Sequence, residues 1–570
     1  MKASSNQVKP KRWTDPSESR QAVATWEWVS WAVLIIWVWY SRWSVAPSVL
    51  FEWDSANYAM AMESFNTYEH QPHPPGYPLF VFLLRSVTWV GANTIQAFLT
   101  VNGVLASMVI VLLGWMARRS AGPLWALLLA FAFSVCPPFW SQGAVSTAYV
   151  AECFCSIVIA ASALALVRGS LSLPACAVIV ALALGIRPSG VVTLVPVALL
   201  ATVIVRPSRA ELVRSIAAFG VTCSMWFFPL ISSGSGWEGY RHASDALADW
   251  QLDTGSVLSG DWSRAPHNAE DLFFFLFDCM NLLWLPLALN LLIVVFRKRF
   301  SGTTVLLFAA WMIPGILTYS LHHLAKSSYV LTLAPGTFLI WILTLFAAIQ
   351  QAGRLIKLPV IGFNLLAMML YCLLNVSAFY SAIPPDLLRR KDADIAVPDW
   401  AFVSGDYGQI ALKYRTWPQD HINDILDSLD DKQDLAVFLF GSHEMHRIAS
   451  YYHPQQWMAA TSIDHELGLV KPATSQFPGT FGDYQLIILR APDRKNTMHS
   501  ITQVHASSRG LELLRDGHDL QLQLPQQPRN VAAFYTCPPC DLSPGQGVEI
   551  VRELDVGAGF GATLLRINPD

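Results

Sequence analysis

Residues 95–117 read IQAFLTVNGVLASMVIVLLGWMA, an apolar run that holds no charged side chain and ends directly before Arg118-Arg119. A run of about 20 apolar residues is long enough to cross the hydrocarbon core of a bilayer as an α-helix. Basic residues next to such a helix mark its cytoplasmic end. The stretch therefore predicts a transmembrane helix that finishes at the cytoplasmic face.

The rest of the chain repeats this pattern. The 570 residues are 53% hydrophobic and 14% charged, with a mean hydropathy of +0.38, which excludes an ordinary soluble enzyme. We predict a polytopic α-helical membrane protein of about eleven spans. The other ten apolar runs are 24–45, 121–140, 146–168, 171–186, 189–205, 211–232, 271–296, 302–321, 328–350 and 358–380.

The basic clusters fall on alternate loops, provided that Tyr77–Ala92 does not cross the membrane. That stretch is short and carries Arg85 at its centre, which favours a helix lying in the outer interface. This topology predicts a cytoplasmic tail over 1–23, a membrane domain over 24–380 and an extracytoplasmic part over 381–570.

Residues 381–570 have the composition of a soluble domain. Ala436–Phe440 and Tyr484–Leu489 read as buried strands and Asp420–Ser428 as a helix, so we expect a small α/β domain. This part contains no Asn-x-Ser/Thr sequon, which favours a bacterial inner membrane over the endoplasmic reticulum. Cys537 and Cys540 form a local disulfide, stay as loop thiols or act as a redox pair.

Two acidic residues, Glu52 and Asp54, open the first outer loop a few residues beyond the first span. A partly desolvated carboxylate beside the membrane is suited to act as a general base near the phosphate of a lipid-linked substrate. A helix N-cap or a solvated loop acid is the alternative reading.

The same loop ends in His73-Pro-Pro-Gly-Tyr77-Pro78, which fixes a stiff, non-helical turn. Such a turn could hold His73 in one orientation near Asp54, with Tyr77 beside it. A purely structural loop is the alternative.

An acid just after the first span, followed by His-Pro-Pro-Gly-Tyr-Pro, resembles the GT-C superfamily of membrane glycosyltransferases. The likeness covers about 24–380 and is greatest to the branch related to protein O-mannosyltransferases; the lipid A aminoarabinose transferases are similar. It implies that Asp54 is the catalytic base, with Glu52 as the competing candidate. It also implies transfer of a sugar from a polyprenyl or dolichyl phosphate, with inversion, to an acceptor on the outer side.

The stretch from Phe139 to Tyr149 is similar to a Trp, Gln and Glu-Val-Tyr pattern of that branch, but Thr147 stands where the pattern has Glu. Glu152, five residues later, is the candidate substitute. Arg187 lies between two short spans, where its planar guanidinium suits a phosphate. A lipid headgroup or an ion pair with a loop acid is the other reading of Arg187.

A further basic segment precedes the tenth predicted span and supplies His322, His323, Lys326 and Tyr329. The resemblance places a comparable basic residue and tyrosine at the donor phosphate, so we expect these side chains to bind substrate. Two adjacent histidines could also hold a metal ion, but no carboxylate is near them in sequence. We therefore predict no metal and no other cofactor.

The loop over 233–270 is rich in Trp, Asp and Gly and suits either sugar binding or anchoring at the interface. Together with these features, the resemblance implies a hexosyltransferase or mannosyltransferase that uses a lipid-phosphate sugar and a protein, lipid or glycan acceptor. Membrane lipids are its expected surroundings, and nothing in the sequence suggests nucleic acid. A multi-span transporter or flippase and a non-enzymatic scaffold are the alternatives.

Overall fold

The computed structural model describes residues 25–380 except 234–235, 296–301, 323–325 and 352. Of residues 381–570, it describes residues 412, 419, 422–429, 435–438, 445–454, 456–461 and 467–470, and the strands between 501 and 567. The predicted strand Tyr484–Leu489 and the Cys537–Cys540 motif lie outside the described residues.

Helices make up nearly all of the described part of 25–380. Short 3₁₀ helices at Thr67–Glu69, Pro188–Gly190, Val257–Ser259, Asn281–Leu283 and Ser327–Thr332 join them. The α-helices are α1 Thr25–Trp43, α2 Trp53–Glu63, α3 Pro78–Thr88, α4 Thr94–Ala121, α5 Pro123–Ser134, α6 Pro137–Gly143, α7 Tyr149–Val167, α8 Leu173–Ile186, α9 Val191–Val205, α10 Arg209–Ser232, α11 Gly236–Gly255, α12 Arg264–Met280, α13 Trp284–Val295, α14 Gly302–Leu321, α15 Ala334–Gln351 and α16 Arg354–Phe379.

Within the described residues, 8 helices are long and apolar enough to cross a membrane, or 9 if the pair α5 and α6 counts as one broken span. The chain is therefore an integral membrane protein. The predicted number of eleven is not confirmed. Two predicted spans fall short: α8 has only 14 residues, and α1 is less apolar because it holds Glu27 and Arg42 besides its tryptophans. The predicted span 121–140 is bent by 67° between α5 and α6, where Pro137 and Pro138 begin the second helix.

The centre of the bundle consists of α4, α7 and α15, whose side chains are mostly buried. Helix α4 packs against α5, α7 and α15. Helices α10, α14 and α16 instead expose most of their apolar side chains. Because these exposed faces are apolar, they suit contact with lipid rather than with water.

Polar pairs connect helices inside the bundle. Asn290 donates from Nδ2 to Asn364 Oδ1 over 3.0 Å, and the same oxygen accepts from Trp341 Nε1 over 3.0 Å. This network joins α13, α16 and α15. Interhelical hydrogen bonds of this kind stabilise membrane bundles, where apolar burial between helices contributes little.

One end of the bundle carries residues 44–93, and we call it the loop face. Helix α3, which lies within the predicted interfacial stretch Tyr77–Ala92, has 11 residues and is too short to span. Its Arg85 donates to the carbonyl oxygens of Ala61 and Met62, each over 2.7 Å, and so satisfies the C-terminal end of α2. The two helices thereby form one unit on the loop face.

Beyond residue 411, residues 422–426 are helical and lie within the predicted helix Asp420–Ser428. A strand over Leu435–Phe438 overlaps the predicted strand Ala436–Phe440. Strand β1 Leu435–Phe438, helix α17 Met445–Tyr452 and strand β2 Trp457–Thr461 form a β-α-β unit with parallel strands. A separate α/β domain over 381–570 stays a prediction. The other strands are β3 Leu467–Val470, β4 Ile501–Ser507, β5 Gly510–Arg515, β6 His518–Leu522, β7 Asn530–Thr536, β8 Ser543–Pro544, β9 Val548–Gly557 and β10 Phe560–Ile567, in sheets ordered β3-β2-β1-β7-β10-β9 and β6-β5-β4-β8.

Candidate functional site

The site is built around the first turn of α2. Glu52 is the N-cap of this helix, in an extended conformation, and its backbone N–H donates to Ser55 Oγ over 3.2 Å. The preceding residue is also fixed, since the N–H of Phe51 donates to Ser146 Oγ over 3.1 Å. Negative side chains are stabilised at a helix N-terminus. The local sequence thus explains why Glu52 and Asp54 lie together there.

Lys326 bridges these two acids. Its Nζ lies 2.9 Å from Glu52 Oε2 and 3.4 Å from Asp54 Oδ2. The side chain of Asp54 remains 25% exposed, so a substrate can reach it. The cluster combines an accessible carboxylate with a cation at hydrogen-bonding distance.

The proline-rich turn places His73 on the other side of Asp54. His73 Nδ1 lies 3.3 Å from Asp54 Oδ1, and its Nε2 forms a hydrogen bond of 3.1 Å with the hydroxyl of Tyr77. Tyr77 adopts a left-handed backbone conformation, with φ of 49°, immediately before Pro78 begins α3. The predicted proximity of His73 and Asp54 is therefore present.

Glu152 and Arg187 form a buried ion pair behind this cluster. Arg187 Nη2 lies 3.1 Å from Glu152 Oε2, and both side chains are less than 10% exposed. Tyr319 donates from its hydroxyl to Glu152 Oε1 over 3.3 Å. Glu152 thus reaches the site although it lies five residues after Thr147, whose hydroxyl donates to Gln142 instead.

Aromatic rings line the space between Lys326 and the Glu152–Arg187 ion pair. The guanidinium of Arg187 lies 4.9 Å from the ring centroid of Tyr77 and 5.6 Å from that of Tyr149. Tyr149 also lies 6.0 Å from Lys326 Nζ and makes an edge contact with Tyr329. Cations over aromatic faces are attracted by the ring quadrupole. Tyr77 and Tyr149 therefore face the cations, and Tyr58 and Tyr329 pack edge-on against these two rings.

The electrostatics set the charge of each group. Burial raises the pKa of Asp54, but Lys326, His73 and Arg187 outweigh it and hold that pKa below its usual 3.8. Burial lowers the pKa of Lys326, but Glu52 and Asp54 together raise that pKa by more, so the ammonium stays charged. Burial lowers the pKa of His73 and exceeds the opposite effect of Asp54. At neutral pH the site therefore holds ionised Asp54, charged Lys326 and neutral His73.

The structure brings together most of the predicted site residues: Glu52, Asp54, His73, Tyr77, Glu152, Arg187, Lys326 and Tyr329. His322 has no described contact with this cluster, and burial lowers its pKa, so it is neutral at pH 7. His323 lies outside the described residues. In the part of the chain that the structure describes, no group of three or more His, Cys, Asp or Glu side chains could hold a metal ion.

Two residues of the site were absent from the predicted set. Tyr58 lies one turn after Asp54 on α2, and its ring is 6.0 Å from that of His73 and 5.3 Å from that of Tyr77. Tyr149 begins α7 and contacts both cations. The four-residue spacing from Asp54 could have indicated Tyr58, because such residues share a helix face. Tyr149 ends the stretch that resembles the Trp, Gln and Glu-Val-Tyr pattern, and this place in the motif could have indicated it. Its contacts with both cations are seen only in the tertiary structure.

These features define an integral membrane protein with an accessible, ion-paired carboxylate at one end of its helix bundle. No protein-family model matches the chain, and no curated protein matches it. Among solved structures, it resembles ArnT from Cupriavidus metallidurans bound to undecaprenyl phosphate, with a TM-score of 0.48, 14% identity and coverage of 76% of this chain and 86% of that one. The apo state of the same protein gives a TM-score of 0.48, 16% identity and coverage of 76% and 85%.

Proposed function

We propose that this protein is a glycosyltransferase that moves a sugar from a lipid-phosphate donor to an acceptor hydroxyl. One observation carries the proposal: Asp54, a partly exposed and ionised carboxylate, lies 3.4 Å from Lys326 Nζ at the end of a membrane bundle. A carboxylate that can take a proton and a cation that can bind a phosphate are the two groups this reaction needs.

In the proposed reaction, Asp54 takes the proton from the acceptor hydroxyl while the acceptor oxygen forms a bond to the anomeric carbon. The bond from that carbon to the phosphate oxygen breaks, and the electron pair leaves with the lipid phosphate. Attack opposite to the leaving group inverts the anomeric configuration. The transition state has oxocarbenium character, as in glycoside cleavage.

Lys326 and Arg187 are the proposed ligands of the leaving phosphate. Charge grows on the phosphate as the bond breaks, and fixed cations in a water-poor site stabilise it by several kcal/mol. Arg187 is already held by Glu152 and the tyrosine rings, so its position is fixed before the donor arrives. Such preorganisation lowers the cost of aligning donor and acceptor.

Lys326 has a second role in this proposal, because its ammonium is shared by Glu52 and Asp54. A donor phosphate competes with these carboxylates for the same cation. Once Lys326 turns to the phosphate, Asp54 loses the strongest of the charges that lower its pKa. Its pKa then rises toward the operating pH, where a general base is most effective. Donor binding would thereby activate the base.

The proposal for the donor is supported by the sequence resemblance. The His73-Pro-Pro-Gly-Tyr77-Pro78 turn next to Asp54 is similar to that of the branch related to protein O-mannosyltransferases. We therefore propose mannose or another hexose on a polyprenyl or dolichyl phosphate, and a protein, lipid or glycan acceptor. The alternation of basic clusters supports a topology with the loop face outside, and the lack of an Asn-x-Ser/Thr sequon in residues 381–570 supports a bacterial inner membrane. A C-terminal alkaline phosphatase fusion should then be active.

The test is transfer of radiolabelled mannose from polyprenyl-phosphate mannose in membranes that contain wild type or D54N. We expect transfer by wild type and a loss of about 10²-fold or more in D54N, the usual contribution of a general base. Unchanged binding of the donor by D54N would show that the fold is retained. Transfer by D54N at the wild-type rate would overturn the assignment of Asp54. If wild type transfers no hexose from any lipid-phosphate donor, the enzyme proposal fails and a transporter becomes the better reading.

A further inference from the structure

A short helix from the C-terminal part of the chain lies against the helix that carries Asp54. Helix α17 packs on α2, far from it in sequence. The sequence of α17 is MHRIASYY, in which one arginine and two tyrosines supply long polar side chains. Arg447 and Tyr452 make hydrogen bonds to residues on either side of Asp54, whereas Tyr451 makes one to the start of α4.

Arg447 is the central contact. Its Nε donates to Asn57 Oδ1 over 2.9 Å, and its Nη2 donates to the backbone carbonyl of Glu69 over 2.8 Å. Asn57 follows Asp54 by three residues on α2, and Glu69 precedes the turn that carries His73. One guanidinium therefore joins the two segments that supply Asp54 and His73.

The burial of Arg447 makes this contact costly to form. The side chain is only 2% exposed, and burial lowers its pKa to about 10 against a raising effect of Glu69. The group thus remains charged at neutral pH. A buried charge is tolerated only where hydrogen bonds satisfy it in fixed geometry. The segments bound by Arg447 are therefore held in one arrangement.

The tyrosines of α17 extend the contact in both directions. The backbone N–H of Leu50 donates to the hydroxyl of Tyr452 over 3.0 Å, just before α2 begins. The hydroxyl of Tyr451 lies 2.6 Å from Thr94 Oγ1, at the start of α4. Tyr452 and Arg447 thus hold the chain on both sides of Asp54, whereas Tyr451 contacts a different helix.

We propose that Arg447 is a positioning residue that acts through Asn57 and the Glu69 carbonyl to keep Asp54 and His73 in reacting geometry. The inference rests on the sugar transfer proposed above. It gives the C-terminal part an indirect role in catalysis, because α17 orders the segments that carry Asp54 and His73 without touching the reacting atoms. A displacement of about 1 Å in such a site can lower the rate about 10²-fold.

The kinetic test compares R447A, R447K, N57A and the double variant R447A/N57A in the full-length protein. We expect R447A to lower kcat at least tenfold while the donor KM stays near the wild-type value, and R447K to recover part of the loss. Because both residues act through one contact, the double variant should be no slower than R447A. Wild-type kcat in R447A, or a fall caused only by a higher KM, would overturn the proposal.

Tyr451 and Tyr452 provide a matched pair in which each variant removes a single hydroxyl. Y452F should lower kcat several-fold because it releases Leu50, whereas Y451F should retain the wild-type kcat. These mild variants keep the inference testable if R447A fails to fold. Equal kcat values in both variants and wild type would contradict a role for α17.

Hydrogen–deuterium exchange gives a readout that does not depend on sugar transfer. In R447A, amides over 53–73 should exchange faster than in wild type, while amides in the middle of α4 should not change. If the wild-type protein transfers no sugar but R447A still exchanges faster over 53–73, the inference that Arg447 orders these segments stands and only the proposed reaction is refuted. Unchanged exchange over 53–73 would overturn the inference whatever the activity.

Discussion

Lys326 and Asp54 form an ion pair of 3.4 Å between Nζ and Oδ2, and the same ammonium lies 2.9 Å from Glu52. The cation proposed to receive the donor phosphate is therefore the one that keeps the proposed base ionised before the donor arrives. The base and the leaving-group site are coupled through one side chain. This coupling leads to expectations that either role alone would not give.

The coupling predicts that kcat and kcat/KM for the donor fall at different pH values on the acid side. Asp54 must be ionised, so activity falls as pH drops through its pKa. In the free protein Lys326 holds that pKa below 3.8. In the donor complex the phosphate engages Lys326 and adds negative charge, which raises the pKa of Asp54. The acid limb of kcat should therefore lie at higher pH than that of kcat/KM for the donor, since kcat reports the complex.

The K326M and K326R variants serve as the matched controls for this effect. K326M removes the cation that lowers the pKa of Asp54 most, so the acid limb of kcat/KM should shift to higher pH, toward that of kcat. K326R retains the charge and should keep the limbs apart. Coincident limbs in wild type would show that donor binding does not release Asp54.

A second prediction distinguishes the two neighbouring acids. Both Glu52 and Asp54 contact Lys326, but only Asp54 also faces His73. E52Q should lower kcat by less than about tenfold, because it weakens one partly exposed ion pair. D54N should lower kcat by about 10²-fold or more, because it removes the base itself. Single-turnover transfer with saturating donor measures both, and a larger loss in E52Q would make Glu52 the base.

The sequence predicted the parts of this site that depend on local patterns. Apolar runs indicated the membrane helices, and the acid and the proline-rich turn indicated the first loop. The number of spans was predicted less well, because a run such as 121–140 does not reveal the 67° bend between α5 and α6. Thr147 suggested a lost acid, yet Glu152 reaches Arg187 because α7 begins at Tyr149 and turns residue 152 inward.

The contact with α17 could not be read from the sequence. Arg447 and Asn57 are 390 residues apart, and nothing local to MHRIASYY indicates that its arginine is buried. Lys326 was predicted to bind phosphate, whereas its pairing with Glu52 and Asp54 follows only from the arrangement of α2 and residues 326–332. Long-range pairing of charges is set by packing, which a single sequence does not specify.

A third prediction concerns the glycine of the proline-rich turn. Gly76 has φ of 100°, and an added Cβ would overlap Leu230 Cδ1 and lie 3.1 Å from Thr67 Cγ2. Gly91 has a similar φ of 97° but nothing within 4 Å of such an atom. G91A should therefore cost about 1–2 kcal/mol from backbone conformation alone. G76A should cost about 1–3 kcal/mol more from overpacking.

Thermal unfolding in one detergent, compared with sugar transfer, measures this difference. G76A should unfold at a lower temperature than G91A and lose activity, because the turn also carries His73 and Tyr77. Equal unfolding temperatures in the two variants would show that the contact with Leu230 relaxes at no cost.

The buried pair of Glu152 and Arg187 allows stability and function to be separated. R187M leaves Glu152 without its ion-pair partner, which typically costs about 3–5 kcal/mol when the remaining charge is buried. The double variant E152M/R187M removes both charges and replaces them with apolar groups, which is often neutral or stabilising. We therefore expect the unfolding temperature to fall in R187M and to recover in the double variant. Donor binding and transfer should stay low in both, because the cation proposed to hold the phosphate is absent. Recovery of transfer together with stability would mean that Arg187 only supports the fold, and would leave Lys326 as the single phosphate ligand.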